Sequence, residues 1–218
     1  MLVQPHSRFV FIGDSITNAD RAEAGEMLPH DPWVGLGRGY VSYIHALLAS
    51  RYPAAFIKVS NRGISGDGIL DLLDRWNEDV IELKPNWLSV FVGINDVWRH
   101  FDSPTNRDQH VSLDTFETVY TKLLEQTRRS LDGLILVTPY VVAEDPNDKM
   151  RVLMAEYAAI VEKLADKFDA LLVDSQSAVD QLTDVHHPTA IAWDRIHMGP
   201  AGHMSLARAL LDAIGFDW

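Results

Sequence analysis

The 218-residue chain contains no cysteine. That excludes disulfides, thiolate metal sites and a cysteine nucleophile. It also has no apolar run near the ~20 residues that a membrane-spanning helix needs. The first eight residues, Met1 to Arg8, lack a basic segment followed by a long apolar stretch. The expectation is therefore a soluble cytoplasmic protein with no signal peptide and no membrane partner. Positive charge is scarce: 19 Lys and Arg stand against 31 Asp and Glu, a net charge of −12. Such a surface disfavours phosphate backbones and anionic bilayers, so nucleic acid is not an expected partner, whereas neutral sugars are not excluded. Internal repeats and low-complexity linkers are missing too. The length suits one domain spanning 1–218.

Short apolar runs are present and alternate with helical periodicity. Phe9 to Ile12, Phe56 to Val59, Leu88 to Val92, Leu134 to Val137 and Leu171 to Val173 read as buried strands. Four amphipathic helices are expected around Tyr40 to Leu48, Phe116 to Leu124, Leu153 to Leu164 and Leu206 to Ile214, with Pro200 in the first turn of the last. Five alternations of strand and helix predict a parallel sheet covered on both faces. In the doubly wound order 2-1-3-4-5, strands 1 and 3 are neighbours at the switch point where ligands bind. The loops leaving those strands are Gly13 to Thr17 and Gly93 to Asp96, the most polar glycine-marked strand exits in the chain. Two long connections, Asn18 to Gly37 with Pro29 and Pro32, and Asp96 to Ser112, leave the same mouth and are expected to wall it.

The first strand runs into Gly13-Asp14-Ser15-Ile16-Thr17, and near the other end stands Asp194-Arg195-Ile196-His197. A serine hydroxyl becomes an effective nucleophile only when a positioned imidazole can take its proton. Each feature alone is ordinary, because a serine after a strand is a common helix cap and an Asp three residues before a His often solvates a turn. The Gly-x-Ser-x-Gly elbow of α/β-hydrolases is not present. Their combination carries the signal.

Gly13-Asp14-Ser15-Ile16, Asn61-Arg62-Gly63-Ile64-Ser65-Gly66, Gly93-Ile94-Asn95-Asp96 and Asp194-x-x-His197 together resemble the four ordered sequence blocks of the SGNH, or GDSL, hydrolases. The resemblance implies a flavodoxin-like three-layer α/β/α sandwich on a five-stranded parallel sheet, and ester hydrolysis with no metal and no cofactor. It implies Ser15 as nucleophile, His197 as general base and then acid, and Asp194 as the residue orienting the imidazole. It also implies an oxyanion hole made of the backbone N–H groups of Ser15 and Gly63 and the side-chain amide of Asn95. Gly63 lets the backbone approach a ligand with no Cβ in the way, and Asn95 is a neutral donor. Asp14 and Asp96 are expected to bond loop amides that shape the site. One departure stands out: Met198 follows the histidine where this family often has proline.

Within the family, the segments Gly93-Ile94-Asn95-Asp96-Val97-Trp98-Arg99 and Ala192-Trp193-Asp194-Arg195-Ile196-His197 and the ending Ile214-Gly215-Phe216-Asp217-Trp218 are most similar to small bacterial acetylxylan esterases. That similarity implies an acetylated sugar, xylo-oligosaccharides foremost, as the small-molecule partner. Trp98, Trp193 and Asp14 are the candidate substrate-binding residues, the two rings being suited to shorten an acyl pocket and stack on a sugar face. Two alternatives stay open: a lysophospholipase- or thioesterase-like hydrolase of longer acyl esters, and a flavodoxin-like module that binds an anion without turnover. His186, His187 and His203 read as turn or surface residues rather than metal ligands. Phe216 and Trp218, two aromatics at the C-terminus, are candidates for a homo-oligomer contact.

Overall fold

A computed structural model describes residues 1–27, 35–106 and 110–218. Pro29 and Pro32 of the first long connection lie outside the described residues. Five strands form one sheet: β1 (Arg8–Gly13), β2 (Lys58–Gly63), β3 (Trp87–Phe91), β4 (Gly133–Val137) and β5 (Leu171–Val173). Their order is β2-β1-β3-β4-β5, and every neighbouring pair is parallel. This is the expected sandwich topology. Strands β3 and β4 are buried along their whole length, and β1 along all but Arg8, which is why they read as unbroken apolar runs.

The helices are α1 (Ser15–Asn18), α2 (Tyr40–Arg51), α3 (Ile69–Trp76), α4 (Ile94–Asp102), α5 (Leu113–Thr127), α6 (Lys149–Lys167), α7 (Ser175–Thr183), α8 (Pro188–Ile191) and α9 (Pro200–Ala213). Helix α9 packs on α2 and α7, while α3 and α6 both pack on α5, so two helical layers enclose the sheet. The core between them holds Phe9, Phe11, Ile12, Tyr40, Phe91 and Tyr120, all at most 1% exposed.

Two expectations are corrected. The second strand lies at Lys58–Gly63, not Phe56 to Val59: Phe56 is 71% exposed in a left-handed conformation at φ 49°. The strand is polar because Ser60 and Asn61 are buried while hydrogen-bonded, Asn61 Nδ2 donating to the carbonyls of Thr17 at 2.7 Å and Leu36 at 2.8 Å. Asn61 thus ties the loop after β1 to the edge strand. The stretch read as a long connection from Asp96 to Ser112 begins as helix α4, which runs to Asp102 and buries Ile94 and Val97.

The parallel register brings three strand ends together. Gly13 pairs with Gly63 on one side and with Phe91 on the other. The loops following these three residues therefore leave the same edge of the sheet, where the site is built.

Candidate active site

Ser15 is the first residue of α1, immediately after the Asp14 cap. Asp14 Oδ1 accepts the Ile16 N–H at 2.9 Å, which turns the chain sharply after β1 and leaves the Ser15 side chain facing the cleft. From the far end of the sequence, the Asp194–His197 turn closes over the same edge. Asp194 Oδ1 accepts the N–H groups of Ile196 at 3.0 Å and His197 at 2.8 Å, with Arg195 left-handed at φ 72° between them. The Tyr140 hydroxyl donates to the Ile196 carbonyl at 2.6 Å, and Arg195 pairs with Asp148 at 2.6 Å. The turn is fixed from both sides.

The result is a continuous chain of three groups. Ser15 Oγ lies 2.7 Å from His197 Nε2, and His197 Nδ1 lies 2.5 Å from Asp194 Oδ2. Partial burial works to raise the Asp194 carboxyl, but hydrogen bonds from the His197 ring and from the His197 and Ile196 amides outweigh it. The carboxyl is held below its usual range and stays ionised near neutrality. An ionised carboxylate can only accept, so Nδ1 carries the ring proton and Nε2 is free to accept from the serine.

Ser15 and His197 line an open cleft of about 760 Å³, with Asn95, Gly66, Trp98, Arg99 and His203 also on its walls. Asn95, at the start of α4, is 4% exposed and donates one Nδ2 hydrogen to the Asp67 carbonyl at 3.0 Å, which leaves its second hydrogen available to the cleft. The Trp98 ring meets the His197 ring edge-on at 5.9 Å. His203 accepts the Tyr40 N–H at 3.3 Å; burial, then the neighbouring His197, lower its pKa to about 4, so it is neutral.

Three expected site residues stand differently. The Gly63 N–H already donates to Asn61 Oδ1 at 2.9 Å, and Gly63 is not part of the cleft lining. Gly66, three residues on, lines the cleft at φ +93°, and its N–H has no acceptor among the described residues. Asp14 is fully buried and therefore cannot touch a substrate; its role is the α1 cap. Trp193 is 82% exposed and outside the cleft lining, so it does not shorten an acyl pocket. Asp96 does shape the site, accepting the Ile69 N–H with both oxygens at 3.0 and 3.2 Å. Met198, in place of the expected proline, is buried, and the turn still delivers Pro200 to the first turn of α9. Among the described residues no group of three or more His, Asp or Glu side chains is arranged to hold a metal. None of their helices is long and apolar enough to cross a membrane.

A parallel 2-1-3-4-5 sheet carrying a Ser–His–Asp relay at its carboxyl edge defines a class of hydrolases, and comparison with known proteins agrees. Residues 11–204 match the GDSL-like Lipase/Acylhydrolase family, and the chain belongs to that family. It is 43% identical over 219 aligned residues to an acetylxylan esterase of Geobacillus stearothermophilus, covering 100% of this chain and 98% of that protein. The crystal structure of that enzyme superimposes with a TM-score of 0.96. LAE5, described as an alpha/beta hydrolase from the metagenome of Lake Arreo in Spain, is 40% identical with a TM-score of 0.95, covering 99% of this chain and 98% of LAE5.

Proposed function

We propose that this chain is a serine esterase that removes acetyl groups from carbohydrate esters, with acetylated xylo-oligosaccharides as the leading substrate. The observation that carries this reading is the Ser15–His197–Asp194 relay at 2.7 and 2.5 Å, on the wall of the cleft that also holds Asn95. Close identity over the full chain to an enzyme described as an acetylxylan esterase supports the substrate class.

The chemistry follows from the protonation states. His197 Nε2 takes the Ser15 proton as Oγ attacks the acetyl carbonyl, and the ionised Asp194 stabilises the imidazolium that forms. The developing oxyanion is met by the Ser15 N–H, the Asn95 amide and, in place of Gly63, the Gly66 N–H, since a donor already bonded to Asn61 Oδ1 has nothing left to give. Collapse of the tetrahedral intermediate breaks the ester C–O bond, and the imidazolium returns its proton to the departing sugar hydroxyl. Water, deprotonated by the same imidazole, then attacks the acetyl-serine; the second tetrahedral intermediate breaks its bond to Ser15 Oγ, which takes the proton back from the imidazolium, and acetate leaves. Trp98, packed beside His197, narrows the cleft toward a short acyl group. Trp193 serves as an outer platform for a sugar ring.

The test is acetate release from acetylated xylo-oligosaccharides by the wild type and by Ser15→Ala, with a p-nitrophenyl ester chain-length series alongside. Ser15→Ala is expected to lose at least about 10³-fold in kcat, and acetyl is expected to exceed octanoyl. Equal turnover by Ser15→Ala removes the serine mechanism, and faster octanoyl turnover removes the short acyl pocket. The proposal places the enzyme in the cytoplasm, acting on short oligosaccharides, which fractionation of its host cells checks. It also treats 1–218 as one hydrolase domain and includes a homo-oligomer contact at the C-terminus.

A further inference from the structure

Arg75, in the last turn of α3, is outside the cleft lining, yet it bonds the end of the strand that delivers Ser15 and the loop that carries Gly66. Its side chain is 13% exposed. Nε donates to Asp67 Oδ2 at 2.7 Å, Nη1 to the Arg62 carbonyl and to Asp79 Oδ2, each at 2.7 Å, and Nη2 to the Gly13 carbonyl at 3.0 Å. Gly13 ends β1, two residues before Ser15, and Arg62 is the penultimate residue of β2. Asp67 follows Gly66 directly, and its main-chain carbonyl accepts from Asn95 Nδ2 at 3.0 Å. One guanidinium therefore links the nucleophile's strand, the edge strand and the loop that carries Gly66 and holds Asn95.

The need for such a link is visible in the loop itself. Residues 64–68 have few ties of their own. The ends are tied, Ile64 N–H donating to Gly13 at 3.0 Å and Gly68 N–H to Asp71 Oδ2 at 2.8 Å, but between them Asp67 N–H makes only a longer bond to Ile64 at 3.3 Å, and Gly66 sits at φ +93° with Arg99 Nη2 the nearest atom to a Cβ placed there, at 3.9 Å. Left to its backbone, this segment can shift by an ångström at little cost, and a misplacement of that size costs a catalytic site about 10²-fold. A planar, five-donor guanidinium holds three segments at once, which a lysine ammonium cannot reproduce.

We propose that Arg75 is a positioning residue for the oxyanion hole, holding the Gly66 N–H and, through Asp67, the Asn95 amide in register with Ser15. This rests on the esterase reading of the site. Because the hole is occupied by charge only in the transition state, disturbing Arg75 lowers kcat and leaves ground-state affinity intact.

The experiment measures p-nitrophenyl acetate kinetics, inhibition by phenylboronic acid, which forms a tetrahedral adduct on an active serine, and thermal unfolding. The variants are Arg75→Lys and Asp67→Asn. Arg75→Lys is expected to lower kcat by about tenfold to a hundredfold, with KM within about twofold and boronate affinity reduced in proportion to kcat. Asp67→Asn, which retains the main-chain carbonyl and a neutral acceptor for Nε, is expected to show the same pattern at a smaller scale. A folded Arg75→Lys with wild-type kcat overturns the proposal. So does a loss carried by KM, or a kcat loss without weaker boronate binding. If Arg75→Lys does not fold, Asp67→Asn decides: full kcat and full boronate affinity there overturn it. Absence of activity in the wild type is a different result, and removes the esterase reading instead.

Discussion

At the scale of single residues, the contrast between Gly63 and Gly66 is the sharpest. Both occur in one short glycine-marked block, and a sequence reads them as equivalent. The structure separates them by what surrounds each. A Cβ on Gly63 would stand 2.2 Å from the Asn18 nitrogen and 2.6 Å from the Thr17 carbonyl carbon, so Gly63 is where two backbones cross. A Cβ on Gly66 would meet only Arg99 Nη2, at 3.9 Å, and its positive φ is the conformation in which glycine is favoured. Gly63→Ala is thus expected to destabilise the fold by about 1–3 kcal/mol, the usual range for overpacking a tight site, read as a lower denaturation midpoint. Asn95→Ala is expected to leave that midpoint nearly in place while kcat falls by about 10²–10³. A Gly63→Ala chain of unchanged stability would contradict the close crossing. Ser15, His197, Asp194 and Asn95 were legible in the sequence because each role needs a particular functional group. The backbone donor was not, because any residue has an N–H and only its φ and neighbours decide where it points.

At the scale of elements, Asp96 shows how a buried acid can join two helices. It is the third residue of α4 and caps the start of α3 by accepting the Ile69 N–H with both oxygens. Burial raises its pKa from 3.8 to about 7, against the pull of the Ile69 hydrogen bond. The Asp14 carboxyl is likewise raised to about 7, first by burial and then, after opposition from its Ile16 bond, by Asp96 and Asp67. The sign of the linkage follows. Below pH 3.8 both folded and unfolded chains hold these protons, and the contribution of the two groups to stability is complete. As pH rises toward 7 the unfolded chain releases them first, so that contribution is progressively lost. Asp96→Asn is expected to compare better with the wild type at pH 8 than at pH 5 in urea unfolding. A difference that does not change with pH would show that Asp96 titrates alike in both states. Helix α4 itself escaped the sequence reading because its apolar face is short: only Ile94 and Val97 are buried hydrophobics, and its polar face lines the cleft. Strand β2 escaped for the complementary reason, since apart from Val59 its buried side chains, Ser60 and Asn61, are polar and hydrogen-bonded to loops.

At the scale of the whole molecule, the two C-terminal aromatics take different fates. Phe216 is 9% exposed and packs edge-on against Tyr52 at 5.6 Å, so it belongs to the core. Trp218 stays 58% exposed, although its indole N–H reaches Asp212 Oδ1 at 2.6 Å. Of the two rings, Trp218 rather than Phe216 is thus the one exposed for the proposed oligomer contact. Removing Trp218 alone is expected to reduce the particle mass measured by light scattering while acetyl ester hydrolysis persists. An unchanged mass would end that idea. The net charge of −12 acts at this scale as well, disfavouring polyanionic partners.

The sequence by itself determined the alternation of strand and helix, the sheet order, and which serine, histidine, aspartate and asparagine are the candidates for the site. Apolar periodicity and functional-group chemistry are written residue by residue, and they survive without coordinates. Only the tertiary structure decided which glycine lines the cleft, that Asp14 is sealed beneath the site, that Trp193 stands outside the cleft, and that Arg75 ties two strand ends to one loop. Those properties depend on distances between segments far apart in the chain, which packing sets and local sequence does not encode.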